Sequence, residues 1–126
     1  MPTSREHLAR AKQNLKFAQS FDLKTTPYLD WVVTAYFYAA LHLVDALLVA
    51  KGESPGARHE DRKEQVRTRS YLRGIKDEYR TLKDHSEDAR YRLITMTSLK
   101  IEQKIIPLYE KIEEHILPQL LKEESR

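Results

Sequence analysis

Trp31-Val32-Val33-Thr34-Ala35-Tyr36-Phe37-Tyr38-Ala39-Ala40-Leu41-His42-Leu43-Val44-Asp45-Ala46-Leu47-Leu48-Val49-Ala50 is apolar almost throughout, interrupted only by Thr34, His42 and Asp45. A run of that length admits two structures, a membrane span or a helix packed inside protein. Asp45 lies deep in the run, where an ionisable group in lipid is costly. No second span exists and the flanking segments are amphipathic, so the run reads as the central helix of a bundle with no membrane partner. A helix apolar on most sides needs cover all round. Three neighbours in so small a chain are too few to provide it, and the expectation is a homodimer through the Trp31-Ala50 helix.

Working toward the N-terminus, Thr3-Ser4-Arg5-Glu6 has the capping-box pattern and predicts a helix from Ser4 to Ser20. Leu8, Ala11, Leu15 and Ala18 form its apolar stripe. Asp22 to Thr25 connects it to the central run, and Thr26-Pro27 supplies a start signal with proline at the first helical position. Toward the C-terminus, Lys51-Gly52-Glu53-Ser54-Pro55-Gly56 is a loop. A charged stretch from Arg58 to Arg69 follows, then a bend at Gly74 and a helix on the stripe Ile75, Tyr79, Leu82, Ser86 and Ala89. The stripe Ile101, Ile105, Leu108, Ile112, Ile116 and Leu120 predicts a last helix over Ser98 to Lys122, kinked or divided by Pro107. The fold class is all-α: an up-and-down bundle of four to five helices, with residues 1–126 as a single domain.

Composition narrows the chemistry. The chain has 126 residues, no cysteine, 3 glycines and 5 prolines, with 33% Asp, Glu, Lys and Arg. A β sandwich is disfavoured, and disulfides, thiolate metal sites and cysteine nucleophiles are excluded. The cytoplasm is the expected compartment, with no signal peptide evident. The formal charge of +3 is local: residues 58–92 hold 11 Lys and Arg against 8 Asp and Glu, while the rest is balanced. Eight of the eleven arginines lie there, each able to grip a phosphate with a planar fork of donors.

Enzyme motifs are few. None of the five histidines follows a glutamate by three residues, which removes a ferritin-like di-metal centre, and there is no phosphate-cradling glycine loop. No metal and no cofactor is expected. His42 and Asp45 lie three apart on one helix and can bond one another as a buried polar pair. Arg80 and His85, with four residues between them, are the residue types that metal-free RNA cleavage uses, the histidine moving a proton and the arginine stabilising phosphorane charge.

The stretch Asp30 to His42, with Val44-Asp45-Ala46-Leu47-Leu48 after it, resembles the second helix of the HEPN family of small helical bundles. The likeness continues through the Gly52 to Gly56 loop to His59 and Arg62, then to Tyr79-x-x-Leu82-x-x-x-Ser86-x-x-Ala89-Arg90-Tyr91, covering roughly residues 5–120 in order. The resemblance implies a dimeric bundle that binds RNA or nucleotide as one half of a two-component system, toxin–antitoxin or associated with a small nucleotidyltransferase partner. On that reading His59, Arg62, Arg90, Tyr91 and Arg92 form the binding surface, with tyrosine stacking on a base and arginine holding phosphate. Nuclease members carry an Arg-x4-6-His motif, whose spacing Arg80 and His85 match with Thr81 at a position usually more polar. Arg90, nearest the family position, has Thr95, Met96 and Thr97 where the histidine would stand. The ribonuclease is therefore an alternative, and a noncatalytic dimerisation module is another.

Overall fold

Thr3 caps the first helix: its hydroxyl oxygen accepts from the Glu6 N–H at 3.1 Å, and its own N–H donates to Glu6 Oε1 at 3.0 Å. Helix α1 spans Ser4–Gln19 in the computed structural model, which describes residues 2–56 and 58–125. Ala11 and Ala18 are buried and Leu8 and Leu15 pack beside them, as the stripe requires.

Helix α2 spans Leu29–Ala50. Its start corrects the Thr26-Pro27 expectation. The Thr25 and Thr26 N–H groups both donate to the Asp22 carbonyl, and the Thr26 hydroxyl oxygen accepts from the Tyr28 N–H at 3.1 Å. That closes a turn which leaves Pro27 outside the helix. The argument for a second copy is corrected as well. From Val32 to Leu48 every side chain except Tyr38 and His42 is buried within one chain, covered by α1 and by the later helices α4 and α6 described below. Three neighbours suffice because Ala35, Ala39, Ala40 and Ala46 let helices approach closely. The helix is long and apolar enough to cross a membrane, yet 83% of its most apolar stretch is buried inside the bundle.

The loop after α2 turns on Gly52 and Gly56, with φ of 80° and 84°. At Gly56 a Cβ would lie 2.4 Å from that of Asp61, so any side chain there collides with the start of the next helix. That helix, α3, spans His59–Thr68 and buries only Val66. A 3-10 turn at Arg73–Ile75 then seats the chain against the last helix. A Cβ on Gly74 would come within 2.8 Å of the His115 ring, whose Nε2–H donates to the Tyr71 carbonyl at 2.8 Å. Helix α4 spans Lys76–Arg90 and buries Tyr79, Leu82, Ser86 and Ala89, the predicted stripe.

The last helical segment is divided just before Pro107, which stands in the first turn of its longer part. Helix α5 (Ser98–Lys100) leads into a π-helical turn at Ile101–Ile105 and then into α6 (Ile106–Glu124). The Ile106 N–H reaches back five residues to the Ile101 carbonyl, and this wider turn accommodates the N–H that Pro107 lacks. Tyr109 takes the buried place that the sequence period assigns to Leu108, so the row is Ile101, Ile105, Tyr109, Ile112, Ile116 and Leu120.

Contacts fix the directions. Ser4 near the start of α1 donates to the Ala46 carbonyl near the end of α2, so these two are antiparallel. Tyr36 meets Tyr109 at one end of α2 and α6, and Lys51 meets Glu123 at the other, so these are parallel. Gly74 lies at His115 while His85 lies beside Lys100, so α4 opposes α6. The result is an up-and-down all-α bundle with no strand among the described residues.

Candidate functional site

Asp45, 2% exposed, anchors the polar side of α2. Its partner is not His42, as the three-residue spacing predicts, but Arg62 of α3. Nε donates to Oδ1 at 2.6 Å and an Nη donates to Oδ2 at 3.1 Å, the two-pronged geometry that makes arginine–carboxylate pairs strong. Arg62, expected on the binding surface, is committed here instead. His42 finds His7 of α1, with the two Nδ1 atoms 3.2 Å apart. His7, His42 and Asp45 therefore bring three metal-capable donor atoms within 4.8 Å of one another, a cluster that no spacing in the sequence marks. The Arg62 guanidinium already supplies positive charge to that carboxylate, which opposes a cation there.

One face over, Phe37 is fully buried and acts as a floor. Tyr38, Tyr79 and His59 rings lie 5.4, 5.8 and 6.2 Å from it. The Arg90 guanidinium, at the end of α4, sits 5.8 Å from the Phe37 ring, 5.3 Å from Tyr38 and 4.9 Å from Tyr91. Arg90 Nη1 donates to the Tyr38 hydroxyl at 2.8 Å and Nε to the Ser86 carbonyl at 3.3 Å, so the planar group is held in place with one edge toward solvent-exposed Tyr91. Beside it Tyr38, Leu41, His42, Arg58, His59, Glu60 and Arg62 line an open cleft of about 510 Å³.

Of the predicted binding residues, His59, Arg62, Arg90 and Tyr91 gather around this cleft. Arg92 does not join them; it pairs with Asp88 at 2.6 Å and with Glu87. Phe37 and Tyr38 are the functional candidates that the sequence reading left unassigned, although Tyr38 stands four residues before His42 on one helical face. Arg80 and His85 are not brought together within the chain. Five residues apart, they point to different sides of α4. Arg80 pairs with Asp77 beside α3, whereas His85 faces α5 and the π turn.

No protein-family profile, curated protein or solved structure matches the chain.

The electrostatics of the cleft favour a neutral histidine. Burial holds the His59 imidazole below its usual value, and the charges of Arg62, Lys83 and Arg90 add to this. Burial likewise lowers His42, against the pull of Asp45, and lowers His85. These shifts set a sign for stability. As pH falls below about 6.5 the unfolded imidazoles take up protons that the folded ones resist, so the unfolded state binds more protons and stability drops. The melting temperature is expected to fall between pH 7 and pH 5. His42→Gln should make that fall shallower in thermal melts across the range; an unchanged slope would refute this role for His42.

Proposed function

We propose that the chain is a noncatalytic HEPN-type module that binds RNA or a nucleotide in the cleft between α2, α3 and the end of α4, as one half of a two-component system. The observation that carries this reading is Arg90, fixed between the Tyr38 and Tyr91 rings beside His59. Tyr91 is 71% exposed and offers a stacking face to a base, while Arg90 offers donors to phosphate. A base stacked on Tyr91 would place its phosphate near the guanidinium edge that the protein leaves open. Binding an anion there would offset the charges of Arg62, Lys83 and Arg90, which add to burial in holding the His59 imidazole low, and would favour its protonation.

The family likeness supplies the two-component setting, and the cleft supplies the ligand class. Anisotropy of a labelled single-stranded RNA in low salt tests the binding. Arg90→Ala is expected to weaken it about tenfold or more, from the loss of phosphate contact and of the held ring pair, while Lys122→Ala at the far end of α6 leaves it unchanged. Equal affinities in the two variants, or no binding by the parent chain, would overturn the reading. Co-purification with a co-expressed nucleotidyltransferase encoded beside it tests the two-component arm.

The ribonuclease alternative has weaker support, since Arg80 and His85 face different clefts and only a second chain could bring them to one phosphate. Dimerisation through α2 has lost its apolar argument. The surfaces left to carry a dimer are the exposed aromatic rings at the start of α2 and the segment after α4, and light scattering would measure its occurrence directly.

A further inference from the structure

The arginines that give residues 58–92 their excess charge are largely neutralised by their own neighbours. Arg58 pairs with Asp61, Arg62 with Asp45, Arg67 with Glu64, Arg69 with Glu53, Arg80 with Asp77 and Arg92 with Asp88. Lys100, Lys104 and Lys111 behave differently. Among the described residues none of them has an ion-pair partner, and all three line a cleft of about 600 Å³ with no carboxylate in its wall.

The chain builds this cleft deliberately in one respect. Lys100 and Lys104 stand four apart across the π turn, and Lys104 and Lys111 stand seven apart, two turns of helix, so the three amines project from one side of α5, the π turn and α6. The opposite wall is α4, through Thr81 and His85. His85 Nδ1 is shielded from solvent and has no hydrogen-bond partner. Leu108, half-buried at the edge of the core, and exposed Leu99 give the cleft an apolar flank. Three like charges held together without a counter-charge repel one another, and an incoming anion relieves that repulsion.

We propose that this cleft, on the flank of α4 away from Arg90, is a second anion site that takes phosphate groups through Lys100, Lys104 and Lys111. Its occupant is either a free polyphosphate chain or the phosphodiester backbone of RNA, which present the same oxygens at similar intervals. The proposal stands independently of what the Arg90 cleft binds.

Calorimetric titration of the full chain with inorganic tripolyphosphate at low salt, run beside anisotropy with a short single-stranded RNA, tests it. The combined variant Lys100→Ala/Lys104→Ala/Lys111→Ala removes only surface amines, and circular dichroism checks that its helices remain. Tripolyphosphate affinity is expected to fall at least about tenfold in that variant, with Lys122→Ala close to the parent chain. If RNA is the occupant, the salt dependence of RNA affinity also becomes shallower by about 2 in log–log slope, at about 0.7 per lysine lost. Loss of tripolyphosphate binding with an unaltered RNA slope assigns the cleft to free polyphosphate. A parent chain that binds neither probe, or a combined variant that binds both as the parent does, overturns the proposal.

Discussion

Asp45→Ala is expected to destabilise the fold by about 3–5 kcal/mol, the usual cost of removing one partner from a buried ion pair. Asp45 has almost no exposed surface, and the Arg62 guanidinium that it holds is itself largely covered. Without the carboxylate that guanidinium keeps its burial and loses both strong bonds. His7, whose Nδ1 lies 4.0 Å from Asp45 Oδ2, loses the nearby negative charge at the same time. Urea unfolding measures the loss as a shift in midpoint at constant slope. Removing both charges together, as Asp45→Leu/Arg62→Met, should restore most of the stability, because an apolar pair of similar volume strands nothing. A single variant within about 1 kcal/mol of the parent chain would mean that water reaches the pair and screens it.

Phe37→Ala carries a comparable penalty, about 3–5 kcal/mol for truncating a buried aromatic ring. It also has a consequence that other core truncations lack. Phe37 packs against Tyr79 on the inside, and on the outside against Tyr38, His59 and Arg90, so the cavity opens directly beneath the candidate cleft. RNA affinity should fall along with stability. Ile112→Ala, equally buried and far from Arg90, should cost stability alone. The comparison uses urea midpoints and anisotropy at a temperature where all three chains remain folded. If Phe37→Ala and Ile112→Ala weaken RNA binding alike, Phe37 has no special part in the site.

Much of the bundle was legible because its determinants are local. The capping box at Thr3 and Glu6, the loop glycines and the α4 stripe each act over a few residues, and each has the predicted outcome. The sites were less legible because their contacts are long-range. Asp45 had eight arginines in residues 58–92 to choose from, and helical spacing favoured His42, which lies on the same helix; α3 docks across the end of the loop and delivers Arg62 instead. Composition located the excess charge but could not say which cations were already paired. That depended on how α3 and α4 turned their carboxylates, and it leaves Lys100, Lys104 and Lys111 among the cations without an ion pair in the described residues. The Tyr38–Arg90 bond joins residues 52 apart, beyond the reach of any local pattern. The apolar character of α2 was legible in the sequence, but the share of it that α1, α4 and α6 cover within one chain was not, because that cover comes from residues distant in sequence.

The π turn gives the chain slack in length where the core meets the lysine cleft. Because a π turn holds about one residue more per turn than an α-helix, dropping one residue from 101–105 would let an ordinary helix run through with the faces on either side changed in phase by only a few tens of degrees. Lys100 and Ile101 would stay close to their present sides. The same deletion inside α6 would instead turn the chain by about 100°, so a single-codon deletion should be better tolerated in this short window than anywhere along the helix that follows it.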